Sequence, residues 1–234
     1  MTTPLHRLLR TADLLGTPEQ PAAGDPADTF DRLPWLGVQL DRDRAHGLFD
    51  SWAESTVIDD NTQQPVLCEG IVTALAQRAG LPARYPVANA GLLHVYGYLL
   101  STSPTPHGFK RDRWLDGTLA TALGLDADAF LPWRLDNGTL LERVTRMVLP
   151  IARGAVNAGV VYERDDRIAD DTTAHTTLWR SRRAGQSGPA ALVYALDGPS
   201  GIRLVTAFPV SGAVDEFVAA LDAEPPRLRY NAVV

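Results

Sequence analysis

GVVYERDDRIADDTTAHTTLWRSRRAGQSGPAALVYALDGPSGIRLVTAFPV, residues 159–210, is where the chain turns from helical to extended patterning. Its pieces VVYERDDR, TAHTTLWRSRR, PAALVYALD and GIRLVTAFPV are rich in Val, Thr, Tyr, Trp and Leu. β-Branched and aromatic side chains pack well on a pleated surface, and the link DGPSG has hairpin chemistry. The expectation is an antiparallel sheet of about four strands, followed by a short helix over SGAVDEFVAALD and a last extended piece, PRLRYNAVV.

Upstream, apolar residues recur at helical spacing. Pro4 to Leu15 predicts a helix stopped by Gly16, and PEQPAAGDPAD reads as an exposed connection. After a short extended piece at the end of DTFDRLPWLGVQL, Asp41 to Ser55 predicts an amphipathic helix burying Ala45, Leu48, Phe49 and Trp52. Cys68 to Ala79 predicts another, with Gly80 just past its last turn and Pro82 beyond. GLLHVYGYLLS fits a strand by composition and a helix by length, while FKRDRWLD reads as a returning strand. Gly117 to Gly124 starts a further helical unit. Asp136 to Ala152 is the strongest helix, its stripe being Leu140, Leu141, Val144, Met147 and Val148, with Pro150 at its end. The fold class is therefore α+β: a mainly helical region, 1–158, packed against an antiparallel β region, 159–234.

Apolar residues make up 45% of the 234, enough to bury an ordinary core. The net charge is −6, and the β region has eight basic against ten acidic residues, so neither part offers a positive field for nucleic acid or anionic lipid. No apolar run reaches the roughly 20 residues of a membrane span. The one cysteine cannot form an internal disulfide, and no basic flank with an apolar run opens the chain, so a cytoplasmic location is expected. Metal-ligand and phosphate-loop motifs are absent; no metal or cofactor is expected, and the partner is a small molecule. Nothing in the pattern sets an oligomeric state.

Chemistry concentrates in residues 64–118, QPVLCEGIVTALAQRAGLPARYPVANAGLLHVYGYLLSTSPTPHGFKRDRWLDGT, which hold the single cysteine, Cys68, the single lysine, Lys110, and His94 and His107. A thiol at a helix N-terminus is favoured as thiolate, which can attack a carbonyl if a histidine moves the proton and a carboxylate orients that histidine. Cys68, His94 and Asp116 follow in that order. Lys110, Arg111, Arg113 and His107 could hold a substrate carboxylate beside Tyr96, and Lys110 could form an imine with a carbonyl compound. The alternative is structural: Cys68 as a small buried hydrophobe and His94 hydrogen-bonded in the core.

The phrase Gly80-Leu81-Pro82-Ala83-Arg84-Tyr85 after the cysteine helix, His94, and Trp114-Leu115-Asp116-Gly117-Thr118 resemble the transglutaminase-like cysteine hydrolase family. That resemblance implies Cys68 as nucleophile, His94 on a strand as general acid and base, and Asp116 on a strand as its partner. GLLHVYGYLLST, KRDRW and LVYALDG with GIRLVTAFPV are similar to small actinobacterial proteins called amino acid deaminases, which implies removal of an amine from a small amino acid.

A third constellation lies in the β region: His175, Thr177 and Arg180 in one piece and Thr206 in another. Helices followed by such a sheet are similar to the barnase and RelE-type ribonucleases. Strand alternation puts His175 with Thr177 on one face and Arg180 on the other. The leading expectation is an enzyme acting on a C–N bond of an amino-acid-like molecule, by amide hydrolysis, acyl transfer or deamination. A ribonuclease or toxin-type module and a non-catalytic binding domain are the alternatives.

Overall fold

A computed structural model describes residues 2–21 and 23–234. Helix α1 spans Pro4–Leu15, opened by Thr3, whose hydroxyl accepts from the His6 N–H, and closed at Gly16. Pro4 in its first turn lacks only an N–H that would have no helical partner. The next helices differ from expectation: α2 is Asp28–Arg32 and α3 is Pro34–Ala45, so the predicted helix over 41–55 holds only at its start. Proline 34 sets the first helical φ, and Gly47, at φ 62, ends the run. Beyond it come a 3₁₀ turn, Leu48–Ser51, and strand β1, Glu54–Thr56.

Helix α4, Glu69–Ala79, has Cys68 at its N-cap and the left-handed Gly80 at its C-terminus, as its sequence requires. Strand β2 is Val87–Asn89. The ambiguous stretch is helical: a π turn over Leu92–Tyr96 passes into a 3₁₀ turn over Gly97–Leu100. Only glycine fits at its start, because a Cβ on Gly91 would lie 2.8 Å from Trp52 Cγ. FKRDRWLD is also helical, with α5 at Asp112–Leu115, so the expected returning strand is absent. Short α6, Thr118–Ala122, precedes α7, Leu140–Ala152, whose cap Thr139 accepts from the Glu142 N–H at 3.0 Å. Pro150 lies inside the last turn of α7 rather than beyond it.

Strands β3 (Val160–Ala169), β4 (Thr172–Trp179), β5 (Ala190–Gly198) and β6 (Gly201–Val210) form the expected four-stranded antiparallel sheet in that order. Gly198 pairs with Gly201 across the hairpin that DGPSG predicts. The chain is α+β. One face of the sheet, carrying Trp179, Ala191, Val193, Ala195 and Ala207, joins the main core under the helices. The other, carrying Leu178, Leu192, Tyr194 and Val205, packs on Val214 and Phe217 of α8, Val214–Ala223, and on Tyr230. Cover on both faces explains why β5 reads as an unbroken apolar run, AALVYAL.

The last extended piece does not join this sheet. Strand β7, Ala232–Val233, pairs with β1, giving a second antiparallel sheet of order β2-β1-β7. The two sheets touch where Trp52 bridges to Leu204 and the Ala53 N–H donates to the Leu204 carbonyl at 2.8 Å. Residues on both sides of position 159 thus share one core. No helix among the described residues is long and apolar enough to cross a membrane.

Candidate functional site

The three residues expected as a relay have separate partners. Cys68, partly buried, directs its thiol to the Leu15 carbonyl at 3.8 Å. Burial raises its pKa and the Glu19 charge adds to this, outweighing the helix-terminal N–H, so the thiol form is favoured. Asp116 is exposed and accepts from the Thr118 N–H at 2.8 Å, a turn contact at the end of α5. His94 is 3% exposed and bonds to Ser55. No hydrogen bond joins any two of the three, and neither His94 nor Asp116 lies on a strand, contrary to what the family resemblance implies.

What His94 does join is a polar cluster where the two sheets meet. The Ser55 hydroxyl donates to the Asn231 carbonyl at 2.8 Å, which leaves it to accept from His94 Nε2, also at 2.8 Å. With the proton on Nε2, Nδ1 is a bare lone pair, and it has no partner among the described residues. The ring stacks on Tyr98, centroids 4.7 Å apart. Tyr98 accepts from Asn231 Nδ2 at 3.1 Å, and the Asn231 N–H donates to Asp60 at 3.0 Å.

Two cations stand over the same Tyr98 ring, Lys110 Nζ at 4.8 Å and the Arg113 guanidinium at 5.6 Å. Lys110 pairs with Asp59 at 2.6 Å, their side chains 12% and 1% exposed. Burial pushes the Asp59 carboxyl up, but Lys110 and the N–H groups of Thr62 and Asn61 outweigh it, and it titrates below its ordinary range. Lys110 is also lowered, by burial and then by Arg113, with Asp59 opposing. Arg113 donates to the Lys110 carbonyl (3.1 Å), Thr206 Oγ1 (2.9 Å) and the Ala207 carbonyl (3.3 Å), and lies 5.7 Å from the Phe208 ring. No carboxylate pairs with it among the described residues, and burial pushes it down to about 10.

The remaining expected residues fall elsewhere. Arg111 donates to the Ser101 carbonyl at 2.8 Å and lies over Phe109, and His107 is exposed in a turn. Tyr96 is buried away from Lys110 and donates to Asp43, which Thr139 also serves at 2.5 Å. Burial pushes the Asp43 carboxyl up to about 6 against those two hydrogen bonds. A cleft of about 400 Å³ beside it is lined by Asp41, Arg42, Ala45, His46, Thr139 and Glu142. Ser55, Asp59 and Asn231 were missed as members of the central cluster. Their signal was a polar loop and a chain end, which composition reads as solvated.

In the four-stranded sheet, His175 Nδ1 meets Asp165 at 2.7 Å and its Nε2 lies 3.9 Å from Asp197. Thr177 shares that face, but Thr206 pairs with Tyr194 on the opposite one, and Arg180 turns to the Gln186 carbonyl. The ribonuclease constellation is split by the pleat. A nearby cleft of about 350 Å³ includes Arg167, Asp170, Asp171 and Asp197, an acidic rim.

Burial of His94 has a measurable consequence. Burial first, then the charges of Arg113 and Lys110, hold its pKa well below the ordinary 6.5. Below that pH the unfolded chain takes up a proton that native His94 refuses, so stability falls as pH falls, by about 1.4 kcal/mol per unit. Asp43 has the opposite sign between 3.8 and about 6, since its native carboxyl takes the proton first. A His94→Gln variant isolates the histidine. In urea unfolding, the stability of the wild type relative to the variant should drop by about 2 kcal/mol between pH 7.5 and pH 5. A difference that does not change with pH would mean that native His94 takes up its proton over the same range as in the unfolded chain.

Compared with models of known protein families, with curated proteins and with solved structures, the chain matches none.

Proposed function

We propose that the chain is an enzyme acting on a C–N bond of a small amino-acid-like molecule, with Arg113, Lys110 and His94 as its site. The observation that carries this reading is the partly buried Arg113 with no carboxylate of its own. A guanidinium withdrawn from water without an ion-pair partner is costly, and Nη2, the one nitrogen of Arg113 with no hydrogen bond among the described residues, has N–H groups left for a carboxylate oxygen. Asp59 already answers Lys110, so Arg113 has no ion-pair partner of its own among the described residues.

His94 supplies the second requirement. Breaking a C–N bond by hydrolysis or deamination needs a group that takes a proton from water and returns it to the departing nitrogen. A neutral imidazole with a bare Nδ1 lone pair can accept a hydrogen bond from that water, and a substrate carboxylate on Arg113 would offset one of the two charges that oppose its protonation. Cys68 has no place in this version, its thiol being favoured over thiolate and its partner a backbone carbonyl. A cytoplasmic location and a small-molecule partner belong to the same reading. A phosphodiester at His175 would meet Asp165, Asp197, Asp170 and Asp171, which favours the C–N enzyme over a ribonuclease.

The purified chain, offered L-amino acids, their primary amides, N-acyl derivatives and 2-imino acids generated from L-amino acids by an added amino-acid oxidase, should speed release of ammonia or free amine from at least one class. Arg113→Met should lower kcat/KM by about 100-fold, the worth of a charge-assisted pair, and His94→Gln should lower kcat by a similar factor. Turnover unchanged in Arg113→Met would remove the site, and no release from any class would remove the reading.

A further inference from the structure

We propose that Lys110 is a covalent catalytic residue that forms an imine with a 2-imino or 2-oxo acid whose carboxylate lies on Arg113. This rests on the C–N reading of the same cluster and names its substrate class.

The geometry supplies three parts. Lys110 Nζ lies 4.8 Å and the Arg113 guanidinium 5.6 Å from the centroid of one Tyr98 ring, so an amine and a carboxylate receptor share an aromatic neighbour. A 2-oxo or 2-imino acid has its electrophilic carbon bonded directly to its carboxylate, which suits two such groups side by side. Second, the Lys110 side chain is 12% exposed and lies near another cation, and these two conditions, which favour the neutral, nucleophilic form, outweigh the opposing Asp59 charge. Third, Asp59 Oδ1 accepts from the N–H groups of Asn61 and Thr62, both at 3.0 Å, which holds Oδ2 at 2.6 Å from Nζ. A carboxylate fixed against the amine can move protons on and off nitrogen as the adduct forms and collapses.

The bookkeeping closes without an oxidant. The neutral amine of Lys110 adds to the carbon of an R–C(=NH₂⁺)–COO⁻ substrate, giving a geminal diamine. One proton passes from the lysine nitrogen to the substrate nitrogen through Asp59. The substrate C–N bond then breaks and ammonia leaves, and the carbon stays bound to Lys110 as a protonated imine. Water adds to that carbon, the lysine C–N bond breaks, and the products are the 2-oxo acid and the Lys110 ammonium. Run backwards, the last step lets a 2-oxo acid load the enzyme directly.

Because Lys110 is the only lysine, borohydride trapping reports on it with the α-amino group as the sole other amine. The full chain is incubated with pyruvate and sodium cyanoborohydride, and the modified peptide is located by mass spectrometry. Acetone, the matching ketone without a carboxylate, serves as control. The expected result is a reduced adduct on Lys110, roughly ten-fold more abundant with pyruvate than with acetone. Arg113→Met should bring the pyruvate yield down to the acetone level, and Lys110→Arg should leave only α-amino labelling. Equal labelling by the two ketones overturns the carboxylate capture. An unmodified Lys110 in a chain that still shows Arg113-dependent ammonia or amine release overturns the imine and leaves the C–N reading standing. Neither adduct nor release overturns both.

Discussion

Replacing Asp59 with alanine is expected to destabilise the native state by about 3–5 kcal/mol, the range for breaking a buried ion pair from one side. The side chain is 1% exposed, and its loss strands two sets of donors. Lys110, 12% exposed, would keep an ammonium next to Arg113 with no counter-charge. The N–H groups of Asn61 and Thr62 would lose the oxygen that closes their turn. Asp59→Asn separates the two contributions. It keeps an acceptor for the turn but removes the charge, so native Lys110 should release its proton more readily than the unfolded chain does. The native state then binds fewer protons, and the stability of Asp59→Asn should rise with pH towards the ordinary lysine range. Urea unfolding across that range is the measurement. A loss under about 1 kcal/mol in Asp59→Ala would show that water screens the pair as it does at an exposed surface.

Trp52→Ala should cost a similar amount, about 3–5 kcal/mol, for a different reason. Trp52 is 2% exposed and fills the junction of three elements. Its ring covers Gly91, its Nε1 donates to Thr145 of α7 at 2.9 Å, and its backbone bridges to Leu204 of β6. Alanine leaves a cavity between the two sheets and an unpaired Thr145 hydroxyl. Trp52→Phe should recover most of the packing and lose the hydrogen bond, at about 1–2 kcal/mol. Far-ultraviolet circular dichroism and tryptophan fluorescence should report one coincident transition in the wild type, because the 1–158 and 159–234 stretches share this core. Separate transitions, or a small loss in Trp52→Ala, would show that the two sheets hold independently.

The four-stranded sheet was legible because its signals are local: β-branched pieces, turn residues at their ends, and one hairpin link. The helices α1, α4 and α7 were legible for the same reason, through the Gly16 stop, the Gly80 stop and the stripe of Leu140, Leu141, Val144, Met147 and Val148. Where local signals conflicted, the reading slipped. FKRDRWLD has strand composition but forms α5, held by the Trp114 indole donating to the His94 carbonyl at 3.1 Å. The 92–100 stretch winds as a helix because Gly91 and Gly97 let it press on Trp52 and Leu67. The β1, β2 and β7 strands are two or three residues long, too short for any period to show.

The candidate site was half legible. Lys110 and Arg113 were singled out as a carboxylate receptor from their charge alone, and they do share one ring. Cys68, His94 and Asp116 occur in a suggestive order, but order along a chain carries no distance, and each found a nearer partner.

By itself the sequence determined the four-stranded sheet and the helices α1, α4 and α7, since turn residues, helix stops and apolar period act over a few neighbours. Tertiary structure alone decided that Ser55 meets Asn231 across 176 positions and that the loop carboxylate of Asp59 is withdrawn from water to face Lys110. Burial and charge pairing depend on which surfaces come together, and no local pattern encodes the closing of so long a loop.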